Sequence, residues 1–488
     1  MSQEIRNIAP TNLWNKFADL NAVPRPSKKE DRVITFMKKF GESLGLETFE
    51  DEVRNVIIRK PATKGMENRK TVVLQGHLDM VHQKNNDTVF DFDTQGIDMY
   101  VDGDWVRARG TTLGADNGLG VAMIMAVLES KDITHPALET LFTIDEETGM
   151  TGALNLKGGI LTGEILLNMD TEEDDEIDIG CAGGIDVTAT RNYPQEPTPA
   201  DSIAYTIEIK GLNGGHSGMD INKGLGNANK IMNRLLFNGF ENFGLQISSI
   251  NGGSLRNAIP RESTAKIIIA ALYNETFEFD MQKTIAAIKT EYKTTEPNFS
   301  ITISKSDNLP EYVMDLGVQE GFLRAVYAAQ NGVYRMSADI ENLVETSNNI
   351  AKITLDDGEI NIQNLTRSSV ESSKMDLANA LRSAYELFGC EVIFGGSYPG
   401  WTPNTKSEIL DVLVKIYTDQ NGQKPKVVAC HAGLECGILG TNYPEMDMIS
   451  FGPTIHGAHS PDERASISSA AKFYKFVVEI LKNIPLRQ

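Results

Sequence analysis

Apolar positions in the first third of the chain fall into two alternating rhythms. Residues 13–18 and 28–44 repeat them at helical spacing, with Ile34, Phe36, Met37 and Phe40 on the second stretch. The run 71–76 (TVVLQG) is short, β-branched and ends at glycine, which predicts a buried strand. Residues 118–128 (GLGVAMIMAVL) are long, Ala-containing and mostly unbranched, predicting a buried helix, and 139–144 and 164–168 again predict strands. Strand and helix in alternation imply an α/β layer with a largely parallel sheet, whose ligand sites lie beyond the carboxyl ends of the strands.

The rhythm changes near 180–184. From residue 203 the strands alternate apolar and polar positions, as in 205–209 (YTIEI), which suits an antiparallel sheet with one solvated face. Strand 205–209 with helix 226–236 resembles strand 359–365 with helix 374–388, so this region is expected to be a duplicated αβ sandwich. The Gly/Pro-rich stretch 395–403 predicts a return linker, and flexibility there and at 180–184 would permit hinge motion. After it, 408–420, 426–429, 447–451 and 467–482 resume the α/β pattern. The expected architecture is one α/β domain split in sequence (1–183 and 399–488), with an α+β domain inserted at 184–398.

The length of 488 residues leaves ample room for such an arrangement at about 150 residues per domain. Apolar residues at 41% and charged residues at 23% are ordinary globular usage. With 46 Lys and Arg against 67 Asp and Glu, the net charge is −21, which disfavours nucleic-acid and anionic membrane partners. No apolar run approaches the ~20 residues of a membrane span, and MSQEIRNIAPTNLW lacks the pattern of a secretory signal. Cys181, Cys390, Cys430 and Cys436 lack CxxC spacing and are expected as buried thiols of a reducing compartment, hence the cytoplasm.

Candidate chemistry gathers at the strand ends. His77 follows strand 71–76, and Asp79 lies within reach of its second ring nitrogen. Asp116 sits in the glycine-flanked loop GADNG, where helix N-capping is an equal explanation. Asp145, Glu146 and Glu147 leave the next strand together, a costly arrangement unless a cation neutralises them or a pKa rises. Asp170 follows 164–168, and His459 follows 447–451, with His456 as a rival three residues earlier. Two histidines with several carboxylates suit two divalent ions sharing a carboxylate. The N/O donor set favours zinc, with manganese or cobalt as substitutes. A spare carboxylate beside them would act as general base. His82 and His135 stand outside these motifs and are expected on the surface, as is the acidic run 172–176.

GHLDM (76–80), GADNG (114–118), DEETG (145–149), Asp170 and HSPDE (459–463) resemble the di-zinc exopeptidases of the aminoacylase/carboxypeptidase clan. Within that clan the chain is similar to the aminoacyl-histidine dipeptidase branch. GGHSGMDI (214–221), RNAIPRE (256–262) and CHAGLECG (430–437) extend the likeness over nearly the whole chain. The resemblance implies hydrolysis of dipeptides, Xaa-His and carnosine-like or broader, by a catalytic α/β domain under an inserted lid domain. It implies that His77 and Asp170 hold one zinc, Glu147 and His459 the other, and that Asp116 bridges them. Glu146 would be the general base, Asp79 would orient His77, and a cis peptide would follow Asp116. A homodimer through the lid is also implied, with lid His216 stabilising the oxyanion in the partner's site, although a turn histidine among glycines accounts for His216 too. For the charged ends of a dipeptide, Arg367 and Asn257 are candidates for the carboxylate and carbonyl, and Glu435 for the α-amine. A plain strand-end arginine explains Arg367 equally well. The competing functions are an amidohydrolase of N-acyl amino acids and a non-catalytic metal-binding relative; the intact ligand set disfavours the second.

Overall fold

A computed structural model describes residues 3–85 and 87–487. Two compact units make up the chain: residues 1–180, 401–429 and 434–488 form the first, and 181–400 with 430–433 the second.

The first unit is built on an eight-stranded sheet. Leu138–Thr143, Val72–His77, Ile165–Asn168 and Asp447–Ser450 lie side by side in that order, all parallel. Antiparallel strands, among them Val56–Lys60 and Glu176–Cys181, flank these four. Val72–His77 and Leu138–Thr143 are buried at every position, which explains why they lack the strict apolar–polar alternation of a half-exposed strand. Helix Ala115–Glu129 is buried from Asn117 through Leu128 and packs on this sheet. Thus three loops, 77–80, 144–150 and 169–172, emerge together at the carboxyl edge of neighbouring parallel strands.

The second unit carries a long antiparallel sheet whose helices share one apolar core. Its topology is a βαββαβ motif used twice. One copy runs Ser202–Lys210, helix Ala228–Phe243, Gln246–Gly252, Ser263–Ala270, helix Asn274–Glu291 and Ser300–Ser306. The other takes Gly183–Asn192 as its first strand. It resumes after the whole first copy with helix Leu316–Ala328, Val344–Asp356, Glu359–Ser368, helix Glu371–Leu387 and Glu391–Tyr398. Each half has its fourth strand outermost and its second strand innermost, and the two second strands pair antiparallel, with Asn251 opposite Thr354. The duplication therefore exists, but strand Glu359–Ser368 with helix Glu371–Leu387 answers to 263–291, not to 202–243.

Two further expectations change. Gly395–Tyr398 continues strand Glu391–Tyr398 through an irregularity, so the glycines mark a bulge in an edge strand where a linker was expected. His135 is fully buried, its Nδ1 2.7 Å from the Pro136 carbonyl. Cys181, Cys390 and Cys436 are buried and Cys430 is half-buried. No helix among the described residues is long and apolar enough to cross a membrane.

Candidate metal centre

His77 is the last residue of its strand, and its side chain is 1% exposed. Asp79, also buried, lies with Oδ1 3.3 Å from His77 Nδ1. The same carboxylate accepts the Ser27 hydroxyl (2.7 Å) and the backbone N–H groups of Glu146 (3.0 Å) and Glu147 (3.3 Å). One buried anion therefore orients the imidazole and fixes the turn that presents the glutamate pair. Burial alone would raise the Asp79 carboxyl; the His77 and Ser27 contacts outweigh it and hold it below the usual range.

Asp116 lies between the two imidazoles. Its Oδ1 is 3.2 Å from His77 Nε2 and its Oδ2 3.3 Å from His459 Nε2. The Asp116 carboxylate faces the two imidazoles and takes no backbone N–H hydrogen bond among the described residues, so it does not cap the helix, which is kinked at Asp116 and Asn117. Gly114 has φ +70°, and a Cβ there would meet Arg25 Nη2 at 2.6 Å, so glycine is required. The peptide after Asp116 is cis. Asp170 Oδ1 is 3.4 Å from His77 Nε2, and Glu147 Oε2 is 3.0 Å from His459 Nε2.

The donors form interlocking groups: His77, Asp116 and Asp170; Asp116, Glu147 and His459; and His77, Glu146 and Glu147. Within each, the candidate atoms lie within 4.8 Å of one another. Asp170 Oδ1 and Glu147 Oε1 are buried and accept no hydrogen bond. Bare carboxylate oxygens beside imidazole nitrogens fit a divalent cation and are otherwise costly. Burial pushes the carboxyls of Asp170 and Glu147 up, and Asp116 adds to both shifts. Asp116 is itself held well down, its burial outweighed by His459 and His77, while His459 is pushed up to about 11 by its contacts with Asp116 and Glu147. Glu146 is raised well above its ordinary value by desolvation; His77 opposes the shift, and Asp170, Glu435 and Glu147 reinforce it. Glu30, Asp79 and Asp145 form another buried acidic group, but Lys28, Ser27 and threonine donors already serve it.

Other expectations resolve by position. His456 stacks on Trp105 and sits 3.5 Å from Glu173, outside the donor groups. Glu172 departs from the solvated run: it is half-buried, and burial followed by Asp116 pushes it up to about 8. Glu435 is 0% exposed, its Oε2 accepting from Gln75 Nε2 (2.6 Å) and Thr143 Oγ1 (2.7 Å). Its Oε1, like Asp170 Oδ1 and Glu147 Oε1, is buried and accepts no hydrogen bond, and burial pushes the carboxyl up to about 7.

In the second unit, His216 Nδ1 accepts the N–H groups of Gly218 (3.3 Å) and Met219 (3.1 Å). A neutral imidazole so held carries its proton on Nε2, which lies 3.4 Å from Arg367 Nη2. Burial, then Arg367, pushes His216 down to about 4, so it is neutral at pH 7. Arg367 is 4% exposed, and its Nη1 donates to the Tyr398 hydroxyl (2.8 Å). Two donors thus converge with no acceptor between them, an arrangement that suits an anionic oxygen. Asn257 is exposed and joins this cluster through its carbonyl, which accepts the Ser217 N–H. His431, buried with Nε2 2.8 Å from Ser347 Oγ, also belongs here. Its motif was visible in the sequence, but its neighbours come from distant strands.

With this geometry in hand, comparison with known proteins is direct. The profile of peptidase family M20/M25/M40 matches residues 73–483. The cytosol non-specific dipeptidase of Escherichia coli (strain K12) is 42% identical over 484 residues, 99% of this chain and 100% of that protein. The crystal structure of aminoacylhistidine dipeptidase from Vibrio alginolyticus superposes with a TM-score of 0.93 at 42% identity, covering 100% of this chain and 99% of that one. An aminopeptidase from Bacillus cereus shares the fold, with a TM-score of 0.58 at 16% identity over 98% of this chain and 99% of its own. The chain belongs to peptidase family M20/M25/M40.

Proposed function

We propose that the protein is a metal-dependent dipeptidase of broad or Xaa-His preference, working with two divalent ions, zinc foremost. The observation that carries this reading is the placement of Asp116 between His77 and His459, with bare oxygens of Asp170 and Glu147 on either side. His77 and Asp170 would hold one ion, Glu147 and His459 the other, and Asp116 both. When bound, such a pair polarises the scissile carbonyl and lowers the pKa of water.

The chain's own groups do the rest. Glu146 takes the proton of the attacking water and returns it to the leaving amine. Its carboxyl, raised well above its ordinary value by desolvation, suits accepting and donating in turn. Asp79 keeps the Nε2 of His77 aimed inward by holding Nδ1. Arg367 and the Nε2–H of His216 receive anionic oxygen, from the substrate carboxylate or the developing oxyanion. A homodimer through the second unit, with His216 serving the partner's site, is part of the proposal, as is the cytoplasmic compartment that the name of the Escherichia coli relative specifies for that protein.

Metal content and hydrolysis test the reading together. The purified chain, supplemented with zinc, should hold stoichiometric metal and cleave carnosine or other dipeptides ahead of tripeptides and N-acetyl amino acids. A chain without bound metal would refute the centre. Preference for N-acetyl amino acids would refute the substrate class.

A further inference from the structure

Two buried charged side chains that no ligand role accounts for hold the loop bearing Asp116. Glu463 is 3% exposed, and its carboxylate accepts four consecutive backbone N–H groups. Oε2 takes those of Leu113 (2.7 Å) and Gly114 (2.9 Å); Oε1 takes those of Ala115 (2.7 Å) and Asp116 (3.3 Å). Arg25, 1% exposed, holds the carbonyl side. Its guanidinium donates to Gly114 O (2.5 Å), Leu78 O (3.1 Å) and Asp79 O (3.0 Å). An anion thus grips the N–H face of the loop, and a cation grips its carbonyl face together with the strand end that bears His77.

Glu463 also belongs to the loop of His459. Strands Ile455–His456 and Arg464–Ser466 pair antiparallel, and residues 457–463 connect them with His459 within the connection. That loop is tied by Ser460 N–H to Gly457 O (3.2 Å) and Glu463 N–H to Ser460 O (3.0 Å). His459 has φ +64°, a conformation costly for a non-glycine residue, and its side chain is 56% exposed against 1% for His77. His77 inherits its position from a buried strand. His459 depends on its loop, and Glu463 is the residue at the loop's base that reaches across to Asp116.

We propose that Glu463 is a positioning residue that fixes the spacing between Asp116 and His459, and so sets the affinity for the second ion more than for the first. This rests on the two-ion reading above. His77 and Asp170 follow adjacent parallel strands and keep their places without Glu463, and Arg25 still holds the strand end, so the first ion keeps two of its three ligands while the second loses the registry of both Asp116 and His459. In E463Q, an NH2 group replaces one acceptor and faces two N–H donors, which forces the two loops apart.

Zinc occupancy is measured by equilibrium dialysis of the full chain over a range of buffered free zinc. Wild type should fill in two steps, and His459→Ala identifies the second by losing it. E463Q should keep the first step and weaken the second by about 10–100-fold, the usual effect of removing an outer-shell support. Glu139→Gln is the control: that buried carboxylate likewise accepts two backbone N–H groups, from Thr162 and Gly163, at the opposite end of the sheet, and both steps should match wild type. Should E463Q fail to fold by circular dichroism, E463D, with its shorter reach, is titrated in its place with the same expectation. E463Q steps that both match wild type, or that fall together, would overturn the proposal. A wild-type chain without two steps would instead overturn the two-ion reading.

Discussion

Replacing Asp178 by Asn removes a carboxyl whose proton the surrounding hydrogen bonds require. A buried polar chain crosses the sheet from Asp178 through Thr171, Ser450, Asn168 and Gln75 to Glu435. Ser450 gives its only proton to Asn168 Oδ1. Thr171 Oγ1 lies 2.8 Å from both Ser450 Oγ and Asp178 Oδ2, with one proton for two contacts. Both contacts close only when Asp178 itself carries a proton, donates to Thr171, and lets Thr171 donate to Ser450. In agreement, burial pushes Asp178 up to about 7, against the Thr171 contact and with help from Glu176. A raised carboxyl binds its proton more tightly folded than unfolded, so wild-type stability falls as pH rises from about 4 to about 7. At 1.36 kcal/mol per unit the ceiling on this loss is about 4 kcal/mol. Asn donates as the protonated acid does and has no such slope. D178N should therefore match wild type near pH 4 and exceed its stability progressively to pH 8. Urea unfolding followed by tryptophan fluorescence reads the right unit, because Trp14, Trp105 and Trp401 all lie in the first. Comparing the two proteins at each pH cancels the titration of shared groups. A pH-independent difference, or a D178N chain less stable at pH 8, would refute the reasoning.

Glu146→Gln should lower kcat by about 10²–10⁴-fold, the scale of general-base catalysis, while bound zinc measured by emission spectrometry stays at the wild-type level; lost metal would move Glu146 from base to ligand. Arg367→Lys should raise KM for free dipeptides by roughly tenfold through loss of the planar fork, at about 1.5 kcal/mol, and leave C-terminally amidated dipeptides unaffected; equal effects on both would remove the carboxylate contact. Mixing inactive His216→Ala with inactive Glu146→Gln should restore activity at about a quarter of the sites by random pairing of subunits. A mixture that stays inactive after verified subunit exchange would show that His216 does not act across a dimer.

The strand ends were legible because a buried parallel strand leaves a trace: TVVLQG and the run before DEETG are short, rich in apolar and β-branched residues and bounded by glycine or acids, and the chemistry begins where they stop. His77, Glu146, Glu147 and Asp170 follow from that trace alone, since parallel neighbours emerge on one edge. The second unit was harder. Its first βαββαβ copy is inserted after the first strand of the other, so strand 202–210 has its counterpart before it, at 183–192, and helix 228–243 far after it, at 316–328, and local similarity paired the wrong strand and helix. Gly395 and Gly396 read as a linker because a bulged edge strand and a loop demand the same permissive backbone. His135 looked superficial for lack of a motif, yet a single carbonyl and a close-packed turn suffice to bury an imidazole.

The deeper obstacle concerns acids. Glu139, Glu463, Asp79, Glu147 and Asp170 are all glutamates or aspartates near glycines and strand ends, and nothing in composition separates them. Their surroundings do. Glu139 and Glu463 direct their oxygens at backbone N–H groups, two and four of them, and Asp79 accepts two more with a serine hydroxyl. Such carboxylates have their oxygens served by donors of the fold itself and need no ion. Glu147 and Asp170 keep a buried oxygen that no backbone N–H or hydroxyl reaches, and the donors nearest Asp116 are the two imidazoles. Carboxylates left bare in a desolvated pocket must either meet a cation or take up a proton, and those beside the imidazoles of His77 and His459 are the ones that fit a cation, which is why surroundings, rather than residue type, separate ligand from support in this chain.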